Sequence, residues 1–210
     1  MNKAPDTKSI VFVIEDDASM RGALGRLFQS VGLQAEVFAS TTEFLQTKRA
    51  DVPCCLVLDV RLQELSGLDF QAQLAKANIQ IPIIFMTGHG DIPMTVKAVK
   101  AGAIEFLTKP FREEDMLDAV RLGIETDRVC RAAENVIADV RARVAALSAR
   151  EREVMALVAA GRMNKQIAGE MHLAEVTVKL HRGSVMRNMG AKSVADLVRM
   201  ADLAGIGRKS

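Results

Sequence analysis

The chain has no tryptophan and no tyrosine, and only 4% of its 210 residues are aromatic. A small-molecule pocket built from large aromatic rings with polar groups is therefore disfavoured. The three cysteines are odd in number and lack metal-ligand spacing, so they predict reduced structural thiols. No apolar run approaches the roughly 20 residues of a membrane-spanning helix, and the polar start lacks the apolar stretch of a secretion signal. These absences predict a cytoplasmic protein without a membrane partner.

Charge is distributed unevenly along the chain. Residues 1–147 hold 17 Lys/Arg and 20 Asp/Glu, whereas residues 148–210 hold 11 and 6, which gives balances of −3 and +5. Apolar residues make up 49% of the chain, enough for each part to bury a core of its own. A small basic segment is typical of a protein that contacts the phosphates of a nucleic acid.

Short apolar runs alternate with amphipathic stretches over residues 10–108. The predicted strands lie at 10–14, 33–38, 55–58, 81–86 and 104–108, and the predicted helices between them at 19–31, 40–48, 68–77 and 92–101. Strands that alternate with helices indicate a parallel sheet with helices on both faces and right-handed crossovers. We expect a flavodoxin-like, doubly wound α/β fold with strand order 2-1-3-4-5 and a site at the carboxyl ends of the strands.

The stretch 113–147 is predicted to be one long helix or two, because no proline or glycine interrupts residues 124–147. Apolar residues recur along it at spacings of three and four: Val129, Ala133, Val136, Val140, Val144 and Leu147. This seam allows two interpretations. It indicates either an interdomain signalling helix with a short coiled-coil seam, or a helix that lies along the first domain without a pairing of its own.

Everything from Ser148 onward is predicted to be helical. Ser148 and Glu151 have the spacing of a capping box, and four short helices follow at 149–160, 164–171, 175–189 and 193–203. We therefore predict three parts: a domain at 1–125, a linker helix at 126–147 and a smaller all-α domain at 148–210.

Polar side chains stand at the carboxyl ends of four predicted strands. Glu15 and Asp16 follow the first strand, Asp59 ends the third, and Thr87 and Lys109 follow the fourth and fifth. In a doubly wound sheet these ends converge on one crevice. Crowded carboxylates repel one another unless a cation joins them, and oxygen ligands without His or Cys favour Mg²⁺.

This set of residues suits phosphoryl transfer. Mg²⁺ neutralises a carboxylate that has to approach a phosphoryl group, and the carboxylate can then attack as the nucleophile. Lys109 would supply charge to the phosphoryl oxygens and Thr87 a hydroxyl donor. Since phosphoryl transfer depends mainly on positioning and charge stabilisation, little else is required.

Four stretches give residues 9 to about 125 a resemblance to the receiver domains of bacterial two-component response regulators. They are Val13-Ile14-Glu15-Asp16-Asp17, Leu58-Asp59-Val60-Arg61, Met86-Thr87-Gly88-His89-Gly90-Asp91 and Phe106-Leu107-Thr108-Lys109-Pro110-Phe111. The resemblance implies that Asp59 accepts a phosphoryl group from a phosphohistidine on a sensor histidine kinase. It implies a magnesium site formed by the acidic pair Glu15 and Asp16, with Asp16 the direct ligand, together with Asp59 and the backbone carbonyl of Arg61. It also implies that Thr87 and Phe106 form a switch pair, and that Lys109-Pro110 is a cis peptide.

Two positions, Gln63 and Glu15, depart from the receiver pattern. Gln63 stands where the family usually has proline, and Glu15 where aspartate is commoner, so we expect Glu15 to reach the ion through water. Phe106 has no hydroxyl, so a switch there works by burial of the ring. His89 also invites a catalytic interpretation, but we interpret it as a loop residue because the phosphoryl chemistry does not need it.

The helices at 164–171 and 175–189, joined by a short connection, predict a helix-turn-helix whose second helix enters the major groove of DNA. Residues 148–203 resemble the C-terminal module of the LuxR/FixJ/NarL class. Four stretches carry the resemblance: Leu147-Ser148-x-Arg150-Glu151-x-Glu153-Val154, Gly161-x-x-Asn164-Lys165-x-Ile167-Ala168, Thr177-Val178-Lys179-x-His181 and Ser193-x-x-Asp196-Leu197-Val198. The resemblance implies that Lys179 and Leu180 contact base edges. It places four further residues on phosphates: Asn164, Lys165, Thr177 and His181.

Gly183 stands where a longer side chain often contacts a base, and Arg182 is a candidate to replace that contact. We assign Val178, Val185 and Met189 to the core because they share one helical face. The last helix, 193–203, is expected to pair two copies on a two-fold site in double-stranded DNA.

The two resemblances together imply a transcription factor that is not an enzyme and is controlled by phosphorylation. The expected partners are a sensor histidine kinase, duplex DNA, a second copy of the chain when phosphorylated, and RNA polymerase. Phosphorylation could act through dimerisation or through release of an inhibited DNA-binding domain, and the sequence leaves both open.

The sequence disfavours three other functions. Haloacid-dehalogenase-like phosphatases need a second Asp two residues after the nucleophile as a general acid, and that position is Arg61. A ligand-sensing regulator would need an apolar pocket where these strands end in carboxylates. An RNA-binding antiterminator is disfavoured by the recognition-helix motif.

Overall fold

Five parallel strands form one sheet in the computed structural model. The structure describes residues 9–63, 65–88 and 92–206, with backbone alone at 92–95. The strands are β1 Ile10–Ile14, β2 Gln34–Phe38, β3 Cys54–Asp59, β4 Ile83–Thr87 and β5 Glu105–Thr108. Their order, β2-β1-β3-β4-β5, confirms the predicted doubly wound topology. The central strands β1, β3 and β4 are buried along their whole length, as expected for a parallel sheet covered on both faces.

Helices cover the two faces of the sheet. They are α1 Ala18–Ser30, α2 Thr41–Gln46, α3 Gly67–Lys76, α4 Ile92–Lys100 and the start of α5 Glu113–Ala146. One face buries a cluster with Phe12, Phe44 and Phe70, whose rings meet edge to face. The other face buries Phe28 and Met116 against the remaining strand residues. Ser40 caps α2, as predicted, by accepting a hydrogen bond from the backbone of Glu43.

Helix α5 is a single helix of 34 residues, and the chain divides into two compact units inside it, between Arg131 and Ala132. The predicted apolar seam is divided as well. Val129 and Val136 are 61% and 55% exposed, whereas Val140 and Leu147 are buried in the core of the second unit. The apolar residues of α5 therefore do not form one continuous seam. Some of them are exposed, and the others belong to the core of the second unit.

The second unit consists of the end of α5 and four further helices, α6 Ala149–Ala159, α7 Asn164–Met171, α8 Glu175–Met189 and α9 Val194–Ala204. Ser148 and Glu151 form the predicted capping box at the start of α6. Helix α7 ends at His172, which adopts the left-handed conformation with φ 53°, and α8 begins three residues later. Such a residue closes a helix by satisfying its last carbonyls, so the turn of the helix-turn-helix is short. Among the residues described, no helix is both long and apolar enough to cross a membrane.

Candidate functional site

Three carboxylates converge at the carboxyl edge of the sheet. Glu15 and Asp16 follow β1, and Asp59 ends the neighbouring β3, where Ile14 pairs with Leu58. One carboxylate oxygen of each residue lies within 4.8 Å of the others. Glu15 and Asp59 are buried and Asp16 is half-buried. The structure thus brings together the three side chains that the sequence predicted as metal ligands.

Lys109 links two of these carboxylates. Its Nζ donates to Glu15 Oε2 at 2.6 Å and to Asp59 Oδ2 at 2.7 Å. Its own backbone N–H bonds to the carbonyl of Thr87 at 2.7 Å, which fixes the segment after β5 beside the end of β4. The Lys109-Pro110 peptide is cis, as the resemblance implied.

The electrostatics of this crevice favour a bound cation. Burial raises the pKa of the Glu15 carboxyl, the hydrogen bond from Lys109 opposes the rise, and the charge of Asp59 adds to it. Burial lowers the pKa of the Lys109 ammonium, but its hydrogen bonds to Asp59 and Glu15 outweigh that effect, so the pKa ends above its ordinary value. The cluster therefore holds three carboxyl groups and one ammonium, which contacts Glu15 and Asp59. The excess negative charge, carried on oxygens alone, fits a hard divalent ion such as Mg²⁺.

Two supporting residues were not found from the sequence. Arg21 in α1 donates through one guanidinium nitrogen to the backbone carbonyls of Glu15 at 2.6 Å and Asp16 at 3.0 Å, so it holds the acidic loop in place. Gly67 opens α3 directly behind Asp59, where an added Cβ would lie 2.5 Å from the Asp59 carbonyl oxygen. Neither role has a local sequence signal, because each depends on a contact made by folding.

Asp17, next to the acidic pair, has a structural role. Its side chain accepts a hydrogen bond from the backbone N–H of Met20 at 2.7 Å and caps the start of α1. The cap fixes the direction in which α1 leaves the strand. Asp17 is exposed and lies outside the carboxylate cluster.

The remaining predicted residues of this site lie beside Asp59 or on the two strands beyond it in the sheet. The backbone N–H of Arg61 donates to Asp59 Oδ1 at 3.1 Å. Thr87 ends β4 and is fully buried. Phe106 in β5 is half-buried against Phe85, with ring centroids 6.1 Å apart. The loop residue His89 lies outside the described residues.

A small cavity of about 70 Å³ adjoins the acidic cluster. Asp16 and Gln63 lie on its wall, together with Ala39, Ser40, Thr41 and Leu62. The cavity has room for water and polar groups to hold it. Water there could complete the coordination of an ion bound by Asp16, since Mg²⁺ in proteins usually keeps several waters.

The second candidate site is the exposed face of α8. Val178, Val185 and Met189 are fully buried, which confirms their predicted place in the core. Of the predicted DNA contacts, Lys165, Lys179 and Leu180 are exposed, and Asn164, Thr177, His181 and Arg182 are half-buried. The structure brings two of them together, since Arg182 donates to Asn164.

Two residues of α8 were missed by the sequence reasoning. Val176 is 65% exposed and lies one turn before Leu180, which is 69% exposed. Exposed apolar side chains on a helix of this kind are suited to contact with the methyl groups of thymine. Glu175, in the first turn, forms an ion pair with Lys179 at 3.3 Å.

Comparison with known protein families gives one family match in each of the two units. Residues 11–121 match the response regulator receiver domain, and residues 145–201 match the luxR family of bacterial regulatory proteins. Nodulation protein W of Bradyrhizobium diazoefficiens is 58% identical over 95% of this chain and 88% of its own length. The transcriptional regulatory protein FixJ of the same organism is 38% identical over 95% of this chain and 98% of its own.

Solved structures give the same result. The response regulator StyR matches with a TM-score of 0.82 and 45% identity over 93% of this chain and 98% of its own. Full-length FixJ from B. japonicum matches with a TM-score of 0.55 and 39% identity over 95% of this chain and 98% of its own. The chain therefore belongs to the two-component response regulators that join a receiver domain to a LuxR-family DNA-binding domain and control transcription.

Proposed function

We propose that Asp59 is the phosphoacceptor and takes its phosphoryl group from a phosphohistidine on a sensor histidine kinase. The observation that carries this proposal is the position of Lys109, whose ammonium lies 2.7 Å from Asp59 Oδ2 beside the other two carboxylates. An ammonium at this distance can hold the oxygens of an incoming phosphoryl group while the second Asp59 oxygen attacks phosphorus.

Glu15, Asp16, Asp59 and the backbone carbonyl of Arg61 would hold Mg²⁺, with Glu15 acting through water. The ion would neutralise the charge of the crowded carboxylates as the phosphoryl group approaches. Lys109 then stabilises charge on the phosphoryl oxygens, and the Thr87 hydroxyl donates to one of them. Phe106 turns its ring inward as Thr87 moves, which passes the change at Asp59 to the surface near β5.

At the DNA-binding end, α8 lies in the major groove of a two-fold duplex site. Lys179 and Leu180 meet base edges, and Asn164, Lys165, Thr177 and His181 hold phosphates. Arg182 belongs to the same interface. Phosphorylation favours a homodimer that α9 aligns on the DNA, and RNA polymerase is a further partner. The receiver domain covers 1–125, a linker helix 126–147 and the DNA-binding domain 148–210.

The protein acts as a switch and turns over no substrate of its own. A phosphatase of related chemistry would need an aspartic acid as the general acid at the position of Arg61, and a guanidinium group does not fill that role. Because its partners are a kinase's phosphohistidine and chromosomal DNA, we place its action in the cytoplasm.

The test combines chemistry and binding on the full chain. Acetyl phosphate should add one phosphoryl group, measured by intact mass, in the presence of Mg²⁺ and not with excess EDTA. The phosphorylated protein should then select duplex fragments from the host genome more tightly than the unmodified protein, with an affinity that falls steeply as salt rises. Equal preference for duplex RNA, a salt-insensitive complex or sustained turnover of p-nitrophenyl phosphate would contradict the proposal.

Replacing Glu175 with Gln should strengthen DNA binding. Glu175 pairs with Lys179 in the free protein and would place a negative charge near the phosphates. Removing that charge frees Lys179, so we expect an affinity gain of up to about fivefold, the range of an exposed ion pair. Fluorescence anisotropy of a labelled duplex selected as above measures the gain.

The matched control is Glu170→Gln. Glu170 pairs with Arg162 at 3.2 Å and lies at the opposite end of α7 from Asn164 and Lys165, so its loss should change DNA affinity less than that of Glu175. An equal gain in both variants would mean that only the overall charge of the domain matters. An affinity loss in Glu175→Gln would show that the carboxylate contributes to the bound state.

A further inference from the structure

Arg182 and Asn164 join the two helices of the helix-turn-helix. Arg182, in α8, donates through Nη1 to Asn164 Oδ1 at 2.8 Å, and Asn164 is the first residue of α7. Both side chains are half-buried, whereas Lys179 and Leu180 on α8 are exposed. The two residues were predicted from the sequence as separate contacts to DNA, but in the structure they form one unit.

The chemistry of the pair fixes the orientation of the amide. A guanidinium group has five N–H donors and no acceptor, so Asn164 has to turn its carbonyl oxygen toward Arg182. Its NH₂ group then lies on the opposite side of the amide, with both hydrogens available to another acceptor. A flipped Asn164 amide is incompatible with this contact, because its NH₂ group would then face the N–H donor of Arg182.

Asn164 also lies where anions are favoured. It opens α7, and the first backbone N–H groups of a helix have no acceptor within the helix. These groups and the helix dipole attract a phosphate. The backbone N–H of Met163, just before the helix, is already bonded to the side chain of Gln166 at 2.8 Å. An outward-facing Asn164 NH₂ group would add a side-chain donor to this end of the helix.

We propose that Arg182 is a positioning residue, which orients the Asn164 amide toward a DNA phosphate and does not contact a base. The inference rests on the proposed DNA interface and assigns a different role to one of its members. Readout of guanine by arginine uses two parallel N–H bonds directed at one base. Arg182 has one of its two terminal nitrogens engaged with Asn164 and is itself half-buried.

The exposed surface of α8 supports this division of roles. Val176, Lys179 and Leu180 recur at spacings of three and four residues, so they share one face of the helix, and all three are exposed. Gly183 continues the same spacing without a side chain. The exposed face of α8 therefore consists of Val176, Lys179 and Leu180, and Arg182 is not part of it.

The experiment is a double-mutant cycle on the full chain, with a duplex selected by the phosphorylated protein and a set of its single-base variants. Arg182→Met keeps the length of the stem and removes the donors, and Asn164→Ala removes the amide. We expect each to weaken binding by about tenfold to a hundredfold, the effect of one hydrogen bond to a charged group. The double variant should lose little more than either single variant, because the two residues act as one unit.

Specificity and salt dependence separate a positioning role from direct contact. Arg182→Met should weaken binding equally for all single-base variants of the duplex and leave the salt slope unchanged. Lys165→Met, the control for a direct phosphate contact, should reduce the slope by about one. Relaxed specificity at one base pair, additive losses in the cycle, or a reduced slope in Arg182→Met would overturn the proposal.

Asn164→Asp separates orientation from stability. An aspartate still accepts from Arg182, so the melting temperature should be kept, but it replaces the outward donor with a negative charge. DNA binding should therefore fall further than in Asn164→Ala. Binding as tight as that of the unchanged protein would overturn the inference. If the unchanged protein bound no duplex at all, the proposed DNA interface would fail instead.

Discussion

Asp59→Asn should leave the protein without covalent phosphate after incubation with acetyl phosphate and Mg²⁺. An amide nitrogen or oxygen does not replace the carboxylate as nucleophile, and the substitution also removes the charged partner of Lys109 at 2.7 Å. Intact mass measures the modification directly. The same variant should bind DNA with one affinity, whether or not acetyl phosphate is present.

The neighbouring acids provide matched controls. Asp17→Asn should be labelled like the unchanged protein, because Asp17 caps α1 through Met20 and asparagine caps a helix equally well. Asp16→Asn should be labelled slowly and need more Mg²⁺, because one predicted ligand is lost. Phosphate on the Asp59→Asn protein would show that another side chain is the acceptor.

Asp127→Ala should destabilise the receiver unit by roughly 2–4 kcal/mol, in the range for a buried polar group that loses its partner. Asp127 is only 4% exposed and accepts from the backbone N–H of Cys54 at 2.8 Å and from Arg131 Nε at 2.5 Å. Arg131 can turn toward solvent when the carboxylate is removed, but the Cys54 N–H at the start of β3 cannot. Chemical denaturation followed by circular dichroism measures the change.

Asp51→Ala is the control for this prediction. Asp51 pairs with the same guanidinium at 2.5 Å, but its side chain is 100% exposed and screened by solvent, so its loss should change the stability much less than the loss of Asp127. Thiol labelling gives a second measurement. Cys130 is exposed and should react at once, whereas Cys54 and Cys55 are buried, and burial raises the pKa of the Cys54 thiol to about 11. Labelling of Cys54 should be faster in Asp127→Ala than in Asp51→Ala, and equal rates would contradict the role given to Asp127.

The sequence predicted the sheet and its polar edge because both depend on local patterns. Runs such as Ile10–Ile14 are buried on both faces, and the residues that follow such runs meet at one edge whatever their separation along the chain. The sequence pattern therefore predicts that Glu15, Asp59 and Lys109 lie together. Capping at Ser40 and Ser148 was found for the same reason, since a cap acts within three residues.

Other features depend on contacts between distant segments and have no local pattern. Asp127 meets Cys54 across 73 residues, and Arg182 meets Asn164 across 18. Gly67 is required only because another backbone passes close behind it. The seam of α5 shows the limit of periodicity, because spacing indicates which residues share a helix face and not which core that face meets.

The continuity of α5 has a practical consequence for dissecting this protein. A fragment ending at residue 125 would lack Asp127 and Arg131, which secure the amino end of β3. A fragment starting at residue 148 would lack Val140 and Leu147 from the interior of the helical half. Independent expression of each half is therefore best attempted with a cut between Arg131 and Ala132, so that each product keeps the stretch of the shared helix that its own interior needs.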